Sequence, residues 1–230
     1  MSAVGNCWAV LVAAGSGSRM GDGIPKQFRP LAGKSVLAWS VQALRTAPGL
    51  AGIVLVLPAG TGLAEAGIAP AEDLTSVPGG AERMDSVAAG LTALRVAGAP
   101  ADARVLVHDG ARPCLPAEAV ARLLREADGP DGGLLALPMS DTVKRADGAV
   151  VAETLDRAAL WRAQTPQCFP LGALAAAIDA VRAAGAFCSD EAQAMERAGY
   201  RPRLVRGDAR NIKLTTPDDW PLAARILESA

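Results

Sequence analysis

Arg19 and Lys26 stand on a glycine-rich segment, AAGSGSRMGDGIPKQF, that directly follows the apolar run VLV at residues 10–12. Between the two cations there is a single acid, Asp22. A strand with no polar side chains at its end can present only backbone, and glycines let that backbone approach phosphate oxygens closely. Two cations on the same loop can then neutralise charge that grows during phosphoryl chemistry. These residue types in this order describe a loop for a nucleoside triphosphate.

Three better-known glycine motifs do not fit. Gly15, Gly17 and Gly21 are spaced G-x-G-x-x-x-G, and residues 35–39 hold no acid for a ribose, so the dinucleotide fingerprint fails. The segment FRPLAGKS at 28–35 ends like a phosphate-binding P-loop. Its first glycine is replaced by Phe28, however, and no predicted strand precedes it. A kinase glycine loop fails on the same spacing, and neither HRD nor DFG follows.

A second polar cluster, VHDGARP at 107–113, brings His108, Asp109 and Arg112 to the end of another apolar run. A carboxylate there can hold Mg²⁺ against a triphosphate, because Mg²⁺ takes one or two carboxylates plus phosphate oxygens. The alternative is that Asp109 only caps a turn. Arg112 is either a ligand for a second anion or a partner for Asp109, and His108 carries no assigned role. In PGGAERMDS at 78–86, backbone amides after the glycine pair could read a base edge, with Ser86 in the first helical turn. Arg83 reads equally well as a solvated helix charge. Late in the chain, DTVK at 141–144, Arg157, QTPQ at 164–167 and NIK at 211–213 are short polar islands between apolar segments. Taken singly, each is an ordinary solvated surface site.

These residues need elements to position them. Strand-like apolar runs at 8–13, 52–57, 74–77, 104–107, 133–137 and 203–205 alternate with helical spacing at 35–46, 82–96, 116–127, 171–184 and 190–198. A last helix is expected from Thr216-Pro217, with Thr as cap and Pro in the first turn. Strands alternating with helices predict an α/β fold with a mostly parallel sheet covered on both faces. Ligands in such sheets bind beyond the carboxyl ends of the strands, where the first two clusters fall. Residues 138–160 break the rhythm with two short alternating runs around Asp147-Gly148, the pattern of a β-hairpin. Too poor in apolar residues to hold itself together, this arm is expected to reach another subunit. The chain reads as one domain, 1–230, with the arm at 138–160 inside it.

Composition narrows the partners. A chain of 230 residues with 50% hydrophobic but only 3% aromatic side chains builds its core from Ala, Val and Leu. With 24 acids against 23 bases, no global field exists to hold nucleic acid, so any cationic site is local. Cys7, Cys114, Cys168 and Cys188 are widely spaced and the chain has one histidine, which argues against both a zinc site and a disulfide framework. No signal peptide and no long apolar span are legible, and the expectation is a soluble, cytoplasmic protein with no membrane partner.

Taken together and in order, AAGSGSRMGDGIPKQF, GGAERMDS, VHDGARP, DTVKR, QTPQ and NIKLTTPDD resemble the 2-C-methyl-D-erythritol 4-phosphate cytidylyltransferase family, from about residue 8 to 226. Gly110 stands where that family usually has Ala, and Met139-Ser140 fills a variable pair. The resemblance implies a single Rossmann-like nucleotidyltransferase domain that uses CTP, methylerythritol 4-phosphate and Mg²⁺. By the same carry-over, Arg19 and Lys26 stabilise the transition state. Ala13, Ala14, Gly15, Gly80 and Ser86 bind the nucleotide, and Asp109 lies by the metal. Arg112, Thr142, Arg157, Thr165 and Lys213 would hold the acceptor. It further implies a homodimer in which the arm lends Arg157 to the neighbouring site. Two other readings stay open from the residues alone: a cytidylyltransferase for another polyol phosphate such as ribitol 5-phosphate, and a non-catalytic nucleotide-binding dimer.

Overall fold

The computed structural model describes residues 6–15 and 24–229. The described chain runs β1 (Cys7–Val12), β2 (Pro30–Leu31), β3 (Lys34–Ser35), α1 (Val36–Leu44), β4 (Leu50–Leu57) and β5 (Leu74–Pro78). It continues through α2 (Arg83–Val96), β6 (Arg104–Asp109), α3 (Ala117–Glu126) and β7 (Gly133–Pro138). It closes with β8 (Val143–Asp147), β9 (Val150–Leu155), β10 (Trp161–Pro170), α4 (Leu171–Ala183), α5 (Glu191–Arg197), β11 (Arg203–Arg206) and α6 (Asp219–Glu228).

Seven strands form one sheet in the order β11-β7-β10-β6-β1-β4-β5. Continuous apolar strands fill its centre because both faces are covered. Leu11, Leu55 and Leu106 project to the layer that contains α1 and α3, while Val10, Val54 and Val107 project to the layer of α2, α4 and α5. Each of those three leucines is fully buried, a contribution of about 2 kcal/mol relative to exposure. The pairs β1·β4, β1·β6, β4·β5 and β7·β11 are parallel, as the alternation of strands and helices predicts. The four cysteines are buried and unpaired. Among the described residues, no helix is long and apolar enough to cross a membrane.

Two expectations need correction. Residues 161–170 carry no strand signal in the sequence, yet β10 runs antiparallel between β6 and β7 near the middle of the sheet. Its polar side chains disguise it. Gln164, Thr165 and Gln167 are all buried, and the ladder with β7 breaks register between Ala163 and Gln167. The last helix starts at Asp219 rather than at 216–217. The Asp219 carboxylate accepts hydrogen bonds from the backbone N–H groups of both Thr215 and Thr216, which holds those residues in a turn ahead of the helix.

The hairpin falls where expected. β8 and β9 pair antiparallel around Gly148, whose φ of +58° suits a residue without a Cβ. They form a two-stranded sheet of their own, with Val150 and Val151 exposed.

Candidate active site

Three chain ends meet where β1, β4 and β6 finish. The N–H of Ala13 donates to the Val56 carbonyl at 2.8 Å, and that of Gly110 to the Val12 carbonyl at 2.8 Å. The loops that leave these strands therefore open onto one cavity of about 510 Å³. Ala13, Ala14, Gly15, Lys26, Gly80, Ser86, Asp109 and Lys213 line it, which brings together eight of the residues expected from sequence. Arg19 lies outside the described residues.

The floor is tight backbone. A Cβ on Gly79 would stand 2.3 Å from that of Ala14, and one on Gly80 would stand 2.3 Å from that of Asp85. A side chain at Gly79 would crowd the ends of β1 and β4, and one at Gly80 would crowd the first turn of α2. The Gly80 N–H donates to the Ser86 hydroxyl at 3.2 Å, which fixes the glycine pair against the first turn of α2. Opposite, the single 3-10 turn at Lys26–Phe28 projects Lys26 into the cavity, where Nζ donates to the Leu214 carbonyl at 2.7 Å.

Asp109 is the electrostatic centre. Its Oδ2 lies 2.8 Å from Lys213 Nζ and 3.8 Å from Arg112 Nε, and its Oδ1 lies 3.2 Å from Arg83 Nη2. Burial pushes this carboxyl up, but Arg83, and after it Lys213, outweigh burial and hold it well below the usual carboxylate range. It is a carboxylate at any working pH. Arg83, whose role the sequence left open, also clasps Glu191 with Nη1 on Oε1 at 2.5 Å and Nη2 on Oε2 at 3.2 Å. Glu191 is fully buried, and burial pushes its carboxyl up while Arg83 pulls against that shift.

Beneath Asp109 lies a hydrogen-bonded chain. The Asp109 N–H donates to Thr165 Oγ1 at 3.0 Å, Thr165 Oγ1 lies 3.0 Å from His108 Nδ1, and His108 Nε2 lies 3.1 Å from the Arg112 carbonyl. A carbonyl only accepts, so Nε2 carries the proton and Nδ1 accepts from the threonine hydroxyl. Burial lowers the His108 pKa to about 4, so the ring is neutral. Asn211 completes the scaffold: its Nδ2 donates to the Thr165 carbonyl at 2.8 Å, and its own carbonyl accepts from Arg112 Nη1 at 2.7 Å. The motifs at 107–113, 164–167 and 211–213 are thus joined into one wall. Thr165, expected as an acceptor contact, has its hydroxyl committed inside that wall.

Thr142 and Arg157 do not line this cavity. Both are exposed beside the hairpin, and Arg157 donates to the Ser140 carbonyl. Sequence reading also overlooked Gln27 and Glu191. Gln27 is one polar residue in a turn, and Glu191 reads as a routine acid in the first turn of a helix. Neither carries a local signal.

Two carboxylates line the cavity, Glu82 and Asp109, and of these Asp109 stands at the end of a sheet strand. Among the described residues no group of three or more His, Cys, Asp or Glu side chains could form a cage. Asp109 beside a triphosphate still fits Mg²⁺, which keeps most of its shell as water and phosphate oxygen.

The family model of 2-C-methyl-D-erythritol 4-phosphate cytidylyltransferase matches residues 7–229. A protein of that name from Halorhodospira halophila is 48% identical, over 97% of this chain and 95% of its own. The one from Acidithiobacillus ferrooxidans is 48% identical over 96% and 95%. A crystal structure of 4-diphosphocytidyl-2C-methyl-D-erythritol synthase superposes with a TM-score of 0.85 at 35% identity, covering 98% of this chain and 100% of that one. The cytidylyltransferase from Thermus thermophilus gives 0.79 at 33% identity, over 96% and 98%.

Proposed function

This chain belongs to the 2-C-methyl-D-erythritol 4-phosphate cytidylyltransferase family, and from that premise we propose how its cavity carries out the family's reaction. The enzyme transfers CMP from CTP to 2-C-methyl-D-erythritol 4-phosphate, releasing pyrophosphate, in isoprenoid biosynthesis. A phosphate oxygen of the acceptor attacks the α-phosphorus in line. The new P–O bond forms as the α–β bridging bond breaks, and the electron pair leaves with pyrophosphate. No side-chain nucleophile is required, so positioning and charge neutralisation supply the catalysis.

One observation carries this reading: the buried carboxylate of Asp109, at the end of β6, sits among three cations and lines the same cavity as Lys26. The cytidine half would lie over Ala13–Gly15 and the Gly80–Ser86 corner. Lys26, with Arg19, would take the charge that develops on the triphosphate. Lys213 and Arg112 would hold the acceptor phosphate, with Thr165 keeping their wall in place. Asp109 would hold Mg²⁺, which supplies further charge neutralisation on the triphosphate when bound. Both its oxygens are already paired with cations, so metal binding at Asp109 exchanges one ion pair for another.

Thr142 and Arg157 enter this reading through a homodimer. Their exposure away from the cavity, together with the apolar Val150 and Val151 on the hairpin, supports an arm that reaches the partner's site.

Pyrophosphate release from purified protein, CTP and Mg²⁺ tests the whole. Release with methylerythritol 4-phosphate, but not with ribitol 5-phosphate or with UTP in place of CTP, is expected. Release with ribitol 5-phosphate instead would reassign the acceptor and leave the nucleotide half intact.

A further inference from the structure

Gln27 lies within the cavity lining yet is only 3% exposed. Its Nε2 donates both hydrogens to backbone, one to the Ala13 carbonyl at 2.8 Å and one to the Gly15 carbonyl at 2.9 Å. Only the amide nitrogen can face two carbonyls, so the orientation of the side chain is settled. The neighbouring residue, Lys26, bonds the opposite wall at Leu214.

The consequence falls on the polarity of the segment after β1. The Ala13 N–H is used by Val56. Among the described residues, no hydrogen bond uses the N–H of Ala14 or of Gly15. Left alone, this stretch would offer a triphosphate carbonyl oxygens and N–H groups alike. A carbonyl facing a phosphate is repulsive, whereas an N–H is a ligand. With the carbonyls of 13 and 15 held by one carboxamide, the groups there with no partner among the described residues are the N–H groups of Ala14 and Gly15 and the Ala14 carbonyl, so donors outnumber acceptors.

We propose that Gln27 is a positioning residue for the nucleotide: it captures the Ala13 and Gly15 carbonyls and so commits this backbone to presenting N–H groups to the triphosphate. This rests on the reading of residues 13–15 as the nucleotide wall. The role is invisible to motif spacing because a glutamine beside a catalytic lysine looks like filler. It also explains a neutral side chain here. Lysine could serve the carbonyls but would add a third cation to the loop, and glutamate would face two acceptors with another.

The test uses the full-length protein with Gln27→Glu and Gln27→Met, the first reversing donor to acceptor and the second keeping size without polarity. CTP binding would be measured by calorimetry without acceptor, alongside steady-state kinetics and thermal melts, with Lys26→Ala in parallel. The expected result is CTP affinity weakened about ten- to a hundredfold in both Gln27 variants, the scale of lost charge-assisted contacts. KM for the acceptor should stay within about twofold, and both variants should still melt cooperatively, at a somewhat lower temperature because two buried carbonyls lose their donor. Wild-type CTP affinity in either folded variant overturns the proposal. Equal losses for both substrates, or failure of both variants to fold, overturn it too, since they would make Gln27 scaffold only. If Lys26→Ala also leaves both CTP affinity and kcat untouched, the nucleotide wall itself has been misread, and the fault lies there rather than with Gln27.

Discussion

His108 and Thr165, from strands β6 and β10, share a hydrogen bond of 3.0 Å that only one proton arrangement satisfies. The threonine hydroxyl must donate to Nδ1, because it already accepts from the Asp109 N–H and because Nε2 gives its proton to the Arg112 carbonyl. The single histidine of the chain is therefore a buried neutral brace between the motifs at 107–113 and 164–167, and Asn211 ties the third to both.

That brace makes stability depend on pH. His108 titrates near 4 in the folded protein against about 6.5 when unfolded, so between these values the unfolded chain binds more protons. Stability is fully present above about pH 6.5 and falls as pH drops toward 4. Across the whole window the loss is roughly 3 kcal/mol. Urea unfolding at several pH values should show this slope in the wild type and a shallower one in His108→Gln. Equal slopes in both would mean that His108 is not held neutral.

Lys26→Ala should lower kcat by about 10² to 10³, the usual scale for one preorganised electrostatic donor. Lys26 Nζ is tethered at the cavity by the Leu214 carbonyl, so the cation is in place before substrate arrives. Single-turnover rates at saturating CTP check this, and a near-normal rate would remove Lys26 from the mechanism.

Glu191→Ala should destabilise the fold by about 3 kcal/mol, as loss of one partner from a buried ion pair does. Glu191 is fully buried and Arg83 commits two nitrogens to it. Without it, Arg83 keeps Asp109 alone and competes harder with Lys213 for that carboxylate. Denaturant unfolding near neutral pH measures the change. A loss below about 1 kcal/mol, the range of exposed pairs, would show that the triad is dispensable.

Mixing Arg157→Ala with Lys26→Ala subunits should restore part of the activity that each lacks alone. If the arm acts in trans, a heterodimer keeps one site with both residues intact. Absence of recovery, under conditions where subunit exchange is verified by mass, would confine Arg157 to its own chain.

Much of this protein is decided locally and is legible in its sequence. Apolar runs such as residues 52–57 have to be strands buried on both faces, and the alternation with helical spacing makes the sheet mostly parallel. Lys26 and Asp109 are legible because cations on a glycine-rich loop and a carboxylate at the end of an apolar run have few other uses. Gly80, Ser86 and Lys213 take their expected roles from the family resemblance. What the tertiary structure alone decided is how buried polar groups are satisfied. Residues 161–170 look like a polar loop until Gln164, Thr165 and Gln167 find partners on the segments around 208–211, 108–109 and 190–192. Gln27 and Glu191 gain their tasks from carbonyls 12 and 14 residues away and from a guanidinium 108 residues away. Periodicity reports which face of an element is dry. A hydrogen bond across the core depends on where a distant segment arrives, and only the packed sheet determines that.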